Sequence, residues 1–311
     1  DFLNNAANKI SRRFGKGGGK TIDEIVRKEI LGDLLGVTDD RISNFEPTIN
    51  TFSFVSPYWN PFTAIRWLAG RAIPAAKGSG KAATAGYAFF ETRSGYNFVS
   101  YDYFAKQVPV TRMVVGHEKS ELEDDDDKGI TAVDKVTIES SVDLFKGLNY
   151  GSYSSNVMTL DLANMKFEQH PFSINKYYKD VSVMNSRKTP EFYKGFDTQA
   201  TYTRIMTKIS DSALFTEGEY TQGFTKQLSQ SSLREKLFYN KKVTVELVSD
   251  YQLEIGEVVQ LDIYKGSSDR KQDFTNSGKY VIGKVERTFK SSEDKMSTRL
   301  TLYTDSDGAE S

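Results

Sequence analysis

Cysteine is absent from the 311-residue chain, which removes any disulfide frame, thiolate zinc site or cysteine nucleophile and leaves the redox compartment open. Histidine is nearly as scarce. His117 and His170 have no His or Cys neighbour at metal-ligand spacing, and each reads as a surface or hydrogen-bonded side chain. Neither sign of charge prevails, since 41 basic residues stand against 42 acidic ones for a formal charge of −1. That balance offers no field to hold a phosphate backbone, so nucleic-acid binding is not expected. No run reaches the roughly 18 apolar residues of a membrane span and the N-terminus has no signal-peptide layout, so membrane insertion is not expected. Gly-x-Ser-x-Gly is missing as well, and Gly78-Ser79-Gly80 and Gly151-Ser152-Tyr153 lack the strand–turn–helix setting of a serine nucleophile.

Two stretches imitate binding motifs and fail on inspection. Phe14 to Glu24 resembles a phosphate-binding loop, but counting back from Gly19-Lys20-Thr21 puts Phe14 where the first glycine belongs. The segment before it has too few β-branched or aromatic residues for the strand such a loop should follow. It reads instead as a flexible linker and a helix start, with Thr21 as cap, Glu24 completing a capping box, Ile22, Ile25, Val26, Ile30 and Leu34 at helical spacing, and Gly36 as the stop. The acidic run Glu121 to Asp127, aligned as a calcium loop from Asp124, puts Lys128 and Lys135 at the fifth and twelfth positions, where oxygen ligands are needed. A solvated loop fits it better. No catalytic residue, metal ligand or cofactor is expected, although 42 carboxylates leave a glycosidase pair open, since their separation is a three-dimensional fact.

What the chain does have is aromatic residues, 13% of the total with 17 Tyr and 20 Phe, a composition suited to rigid contact surfaces. The predicted fold class is α+β. Residues 1–111 read as a mixed helix and β-hairpin domain: a short strand at Phe52 to Val55, a helix opened by Asn60-Pro61, and a hairpin of Tyr87–Glu91 with Tyr96–Ser100. The helix face is Phe62, Ile65, Leu68, Ala69 and Ala72. Clean alternation from Val136 to Leu144 marks a half-buried strand in a first barrel segment, 112–163. Residues 164–230 form an insertion, in which Thr201–Met206 is strand-like. A short helix is expected from Ser231 to Tyr239. It is followed by four strand-like runs, Val243–Val248, Glu257–Tyr264, Lys279–Lys290 and Met296–Tyr303, in the second barrel segment, 231–305, with 306–311 as a tail. Consecutive strands joined by short polar loops predict an antiparallel β-barrel.

Phe52-Ser53-Phe54-Val55-Ser56-Pro57-Tyr58-Trp59-Asn60-Pro61-Phe62-Thr63-Ala64-Ile65-Arg66-Trp67-Leu68-Ala69, then Phe89-Phe90-Glu91-Thr92 and Gly95 to Ser100, form one set of pieces. Leu253 to Val259, Ser277-Gly278-Lys279-Tyr280-Val281-Ile282 and Thr298 to Leu302 form another. In this order they resemble the central baseplate hub proteins of contractile-tailed bacteriophages, of the large myovirus type. The resemblance implies a tail-tube-like barrel and a non-enzymatic adaptor, a homotrimer joining the hexameric tail tube, or a tube-initiator protein, to a trimeric cell-puncturing spike. It also implies contacts with baseplate wedge proteins and a place in the virion's tail baseplate, after assembly in the host bacterial cytoplasm. The family's first barrel would precede Asp1, so the chain reads as trimmed or as having that barrel elsewhere. The strands from Val243 to Tyr303 are expected to form the trimer-facing sheet, with Val243, Val245, Val258, Tyr280, Ile282, Val285, Leu300 and Leu302 at the trimer or tube interface. Val285→Asp is then expected to abolish trimers. The alternative reading is a carbohydrate-binding or lytic tail-associated protein using Trp59 and Trp67 as platforms, against which both tryptophans are expected to pack in the core.

Overall fold

Period-two alternation in the last third of the chain does become sheet, and its strands define the larger of the assemblies below. The computed structural model describes residues 2–15, 19–75, 86–115, 130–140, 149, 153–161, 165–173, 182–188, 204–210, 224–239, 241–247, 252–264, 271–290 and 295–308. The fold is mixed α+β, mostly sheet, with five α-helices among the described residues. It divides into two compact units, one of Asp1–Tyr101, Leu144–Val181 and Tyr193–Glu235, the other of Asp102–Asp143, Ser182–Phe192 and Lys236–Ser311.

The second unit is built on seven strands: β1 Arg112–Val115, β2 Ile130–Ala132, β3 Lys135–Ser140, β4 Lys241–Leu247, β5 Val258–Ile263, β6 Gly278–Lys290 and β7 Lys295–Thr304. Their order in the sheet is β3-β4-β7-β6-β5-β1-β2. Side chains directly opposite one another share a face, so each strand contributes alternate residues to one core. That core holds Met113, Val243, Val245, Leu247, Val259, Leu261, Ile263, Tyr280, Ile282, Leu300 and Leu302, with Val136 and Val285 packed against it. A bulge between Ile282 and Lys284 shifts the register so that Ile282 and Val285 both face inward.

The sheet is not wholly antiparallel as the sequence predicts, because β1 runs parallel to both β5 and β2. Strand-like runs reveal where strands are but not their direction. Only Val133 and Asp134 separate β2 from β3. The Val133 N–H donates to Val114 O at 3.0 Å, and the Asp134 N–H donates to Glu246 O at 3.0 Å. One continuous stretch, 130–140, therefore bonds to β1 at its start and to β4 at its end.

In the first unit, the expected helix begins at Ile22–Glu24 and widens into a π-helix over Ile25–Gly32, burying Ile22, Ile25, Val26 and Ile30. It ends at Gly32, and Gly36, φ +67°, closes the turn that follows rather than the helix itself. Thr21 sits at the cap position, but its hydroxyl makes no cap bond to the helix, while Glu24 bonds back to Thr21 and also pairs with Lys28 at 3.2 Å. Asn60-Pro61 does open the helix Pro61–Ala69, yet the cap bond comes from elsewhere: the Phe62 N–H donates to Asn5 Oδ1 at 2.8 Å. Asn60 itself donates to the carbonyls of Asn5, Ala6 and Asn8 and so ties the N-terminal helix Phe2–Ala7 down.

The aromatic hairpin is Tyr87–Thr92 with Gly95–Ser100, and Ile42–Phe45 runs parallel to its second strand. Gly95 has φ +131°, and a Cβ there would lie 2.3 Å from Arg41 O, so the turn requires glycine. Tyr96 beside it is buried, and its hydroxyl is pushed up to about 12 by burial first and then by the nearby Glu91 carboxylate. The unfolded chain gives up this proton near its ordinary value of 10.0 while the folded chain holds it. The stability it contributes is therefore complete below pH ~10 and is lost as pH rises towards about 12. Urea midpoints are expected to fall across that window, less steeply for Tyr96→Phe.

A separate three-stranded sheet in this unit has Ser154–Asp161 at its centre, antiparallel to Lys166–Ser173 and parallel to Arg204–Ser210. The boundary expected between 163 and 164 falls between two strands that pair as a hairpin. Helix Phe224–Phe238 begins earlier than the predicted one. His117 and the acidic run 121–127 lie outside the described residues.

Candidate functional site

The eight residues that the sequence pattern assigns to an interface lie in one sheet, and the chain itself covers them. Val243, Val245, Tyr280, Ile282, Leu300 and Leu302 are in the second unit's core, Val258 is buried on the opposite face of β5, and Val285 is half-buried against the core. An alternating strand pattern identifies a buried face without telling whether the same chain or a partner buries it. Here the same chain does. Any contact that β3, β4, β7 and β6 make with a partner falls to the residues between.

Those residues form three rows across the four strands. Lys135, Glu246, Arg299 and Glu286 make the first, alternating in sign. Thr137, Thr244, Thr301 and Lys284 make the second, and Glu139, Lys242, Tyr303 and Val281 the third. Arg299 places Nε and Nη2 at 3.1 and 2.9 Å from one Glu246 oxygen, Lys242 reaches Glu139 at 2.8 Å, and Lys284 reaches Glu286 at 2.6 Å. The hydrogen bond that Lys284 donates holds the Glu286 carboxyl below its usual range, and the one that Lys242 donates to Glu139 raises the Lys242 ammonium. Exposed pairs of this kind contribute little to stability. They give this face a mixture of both signs around a threonine row, in which Thr137 is exposed, Thr244 half-buried and Thr301 buried.

At one end of the same sheet, the short segment 182–188 is clasped to β6 and β7. Asn185 accepts the Lys279 N–H at 2.7 Å and donates to Lys279 O, Thr304 Oγ1 and Ser306 O at 3.2, 3.0 and 3.1 Å. Arg187–Lys188 pairs with Ser306–Asp307, and the Lys241 ammonium bonds both Asp307 and Thr275 O. A cleft of about 420 Å³ opens beside the clasp, lined among others by Gln260, Gln272, Phe274 and Lys279. No signal in the sequence singles out Asn185. Asp262 is different: a carboxylate inside the apolar run of β5 is a visible irregularity.

The remaining sequence candidates are packed into the first unit. Phe14 is fully buried and stacks on Phe54 with ring centroids 5.2 Å apart, so the loop-like segment begins at a core residue. Trp59 and Trp67 are half-buried against each other at 5.5 Å, Trp67 also meets Phe52 and Phe54, and the Arg71 guanidinium lies 3.6 Å over the Trp67 ring. His170 is half-buried with its Nε2 3.5 Å from Glu168. Among the described residues no three His, Cys, Asp or Glu side chains are grouped as metal ligands.

No protein-family model and no curated protein sequence matches the chain. Solved structures do. The tail protein from Neisseria meningitidis MC58 is similar with a TM-score of 0.51 over 95% of this chain and 70% of its own, at 10% identity. The chain shares the fold of that protein. The 43 kDa tail protein of prophage MuSo2 from Shewanella oneidensis is similar at a TM-score of 0.50 over 97% of this chain and 69% of its own, at 8% identity. At such identities the likeness is one of fold.

Proposed function

We propose that the chain is a structural, non-enzymatic part of a contractile phage tail, the central hub of the baseplate. In this reading it is a homotrimer between the hexameric tail tube and the trimeric spike, with baseplate wedge proteins around it. The observation that carries the reading is the similarity to two tail proteins along nearly the whole chain. Residues 130–140 add support. Because they bond to the strands at both ends of the sheet, we read the sheet as a barrel closed through them, with the core as its filled interior. A closed barrel leaves only its outer face for partners, and the balanced rows over β3, β4, β7 and β6 are the surface we assign to contact between copies.

The alternative, glycan binding or lysis through Trp59 and Trp67, loses its platforms to the aromatic cluster and to Arg71. Thr244→Arg tests the assignment, since Thr244 lies between Thr137 and Thr301 at the centre of the face. A long solvated side chain there should change folding stability by no more than about 0.5 kcal/mol. Sedimentation velocity is expected to show smaller particles than the wild type at an unchanged melting temperature. Wild-type sedimentation would remove this face from the interface.

A further inference from the structure

We propose that the cleft beside the clasp binds an anionic, hydroxyl-rich ligand of the acidic-sugar class. The cleft's 420 Å³ falls within the range of small-molecule sites, about 300–1,000 Å³. Its polar groups are held in place from beneath. Gln260 and Gln272 each donate one amide N–H to the same oxygen of Asp262, at 3.0 and 3.2 Å. The other oxygen of Asp262 takes Arg112 Nε at 2.6 Å, and the carboxylate is only 5% exposed. A buried charge thus fixes two amides on the cleft wall. Among the described residues each amide keeps its carbonyl and a second N–H for a ligand.

Neighbouring hydroxyls on a sugar ring present the matching donors and acceptors. Phe274, half-buried, also lines the cleft and is its aromatic residue for the ring's C–H groups. Among the described residues that line the cleft, Lys279 is the charged one. Its backbone is locked by Asn185, and among the described residues its ammonium has no carboxylate partner. A neutral sugar would leave that cation unused, and a simple anion would leave the two oriented amides unused. A carboxylate on a hydroxylated ring engages all of them.

The test is calorimetric titration of the full chain with trigalacturonic acid and, separately, with the neutral maltotriose. Saturable binding of the acidic trisaccharide is expected, with maltotriose weaker by about tenfold or more. Lys279→Met is expected to weaken the acidic trisaccharide by about tenfold while leaving the melting temperature unchanged. Gln272→Leu is expected to weaken both sugars. No saturable binding by the wild type at millimolar trigalacturonate would overturn the proposal. So would equal affinity for the two sugars, or a Lys279→Met variant that binds like the wild type. None of these outcomes bears on assembly, so the proposed structural role stands or falls separately.

Discussion

Val245→Asp is expected to leave the second unit without a cooperative unfolding transition. Val245 is fully buried, lies between Val136 and Leu300 in the sheet, and belongs to the apolar core. A carboxylate there is set among apolar side chains, and an unpaired buried charge costs upward of about 4 kcal/mol. Whole domains are stable by only about 5–15 kcal/mol. Circular dichroism melts are the measurement, and a wild-type melt would contradict the core assignment. Val285→Asp, at a half-buried site, is expected to fold with a lowered melting temperature. Any change of oligomeric state in that variant would follow from a weakened core, so it does not report on an interface. Its use as an assembly test fails for that reason.

Asn185→Ala is expected to cost about 2–4 kcal/mol, read from urea midpoints, because it removes the partner of four polar groups at once. The Lys279 N–H loses its acceptor, while Lys279 O, Thr304 Oγ1 and Ser306 O lose a donor. The clasp also explains Gly278. Its φ is +144°, and a Cβ on it would stand 2.5 Å from Asn185 Oδ1. Gly278→Ala therefore carries a backbone cost and a collision, and the collision disappears when Asn185 is already alanine. A double-mutant cycle should show the two costs summing to less than their separate values. Strict additivity would mean that the clasp does not constrain this turn.

The sequence is most informative where one face of a strand is buried. Runs proposed at 243–248, 257–264, 279–290 and 296–303 appear as Lys241–Leu247, Val258–Ile263, Gly278–Lys290 and Lys295–Thr304. Alternation carries that information because a one-residue slip would reverse every side chain. It carries none about direction, so the parallel placement of β1 could not be anticipated. Caps were legible by position but not by partner: Asn60 opens its helix, while Asn5, 57 residues before Phe62, makes the bond. The candidate surface was half legible. Valines and leucines at 243, 245, 300 and 302 mark one face of a sheet, and the same pattern would serve a core or an oligomer seam. Only their burial within one chain moves the candidate contact to Thr137, Thr244 and Arg299 on the other face. The Asn185 clasp and the two glutamines over Asp262 join residues far apart in sequence, and no local pattern announces such pairs.

The proposed hub role requires that the chain associate with itself in threes, and its solution mass tests this most directly. Light scattering across a range of concentrations is expected to give three times the chain's 35.0 kDa. A mass of 35.0 kDa at every concentration would contradict the trimeric hub.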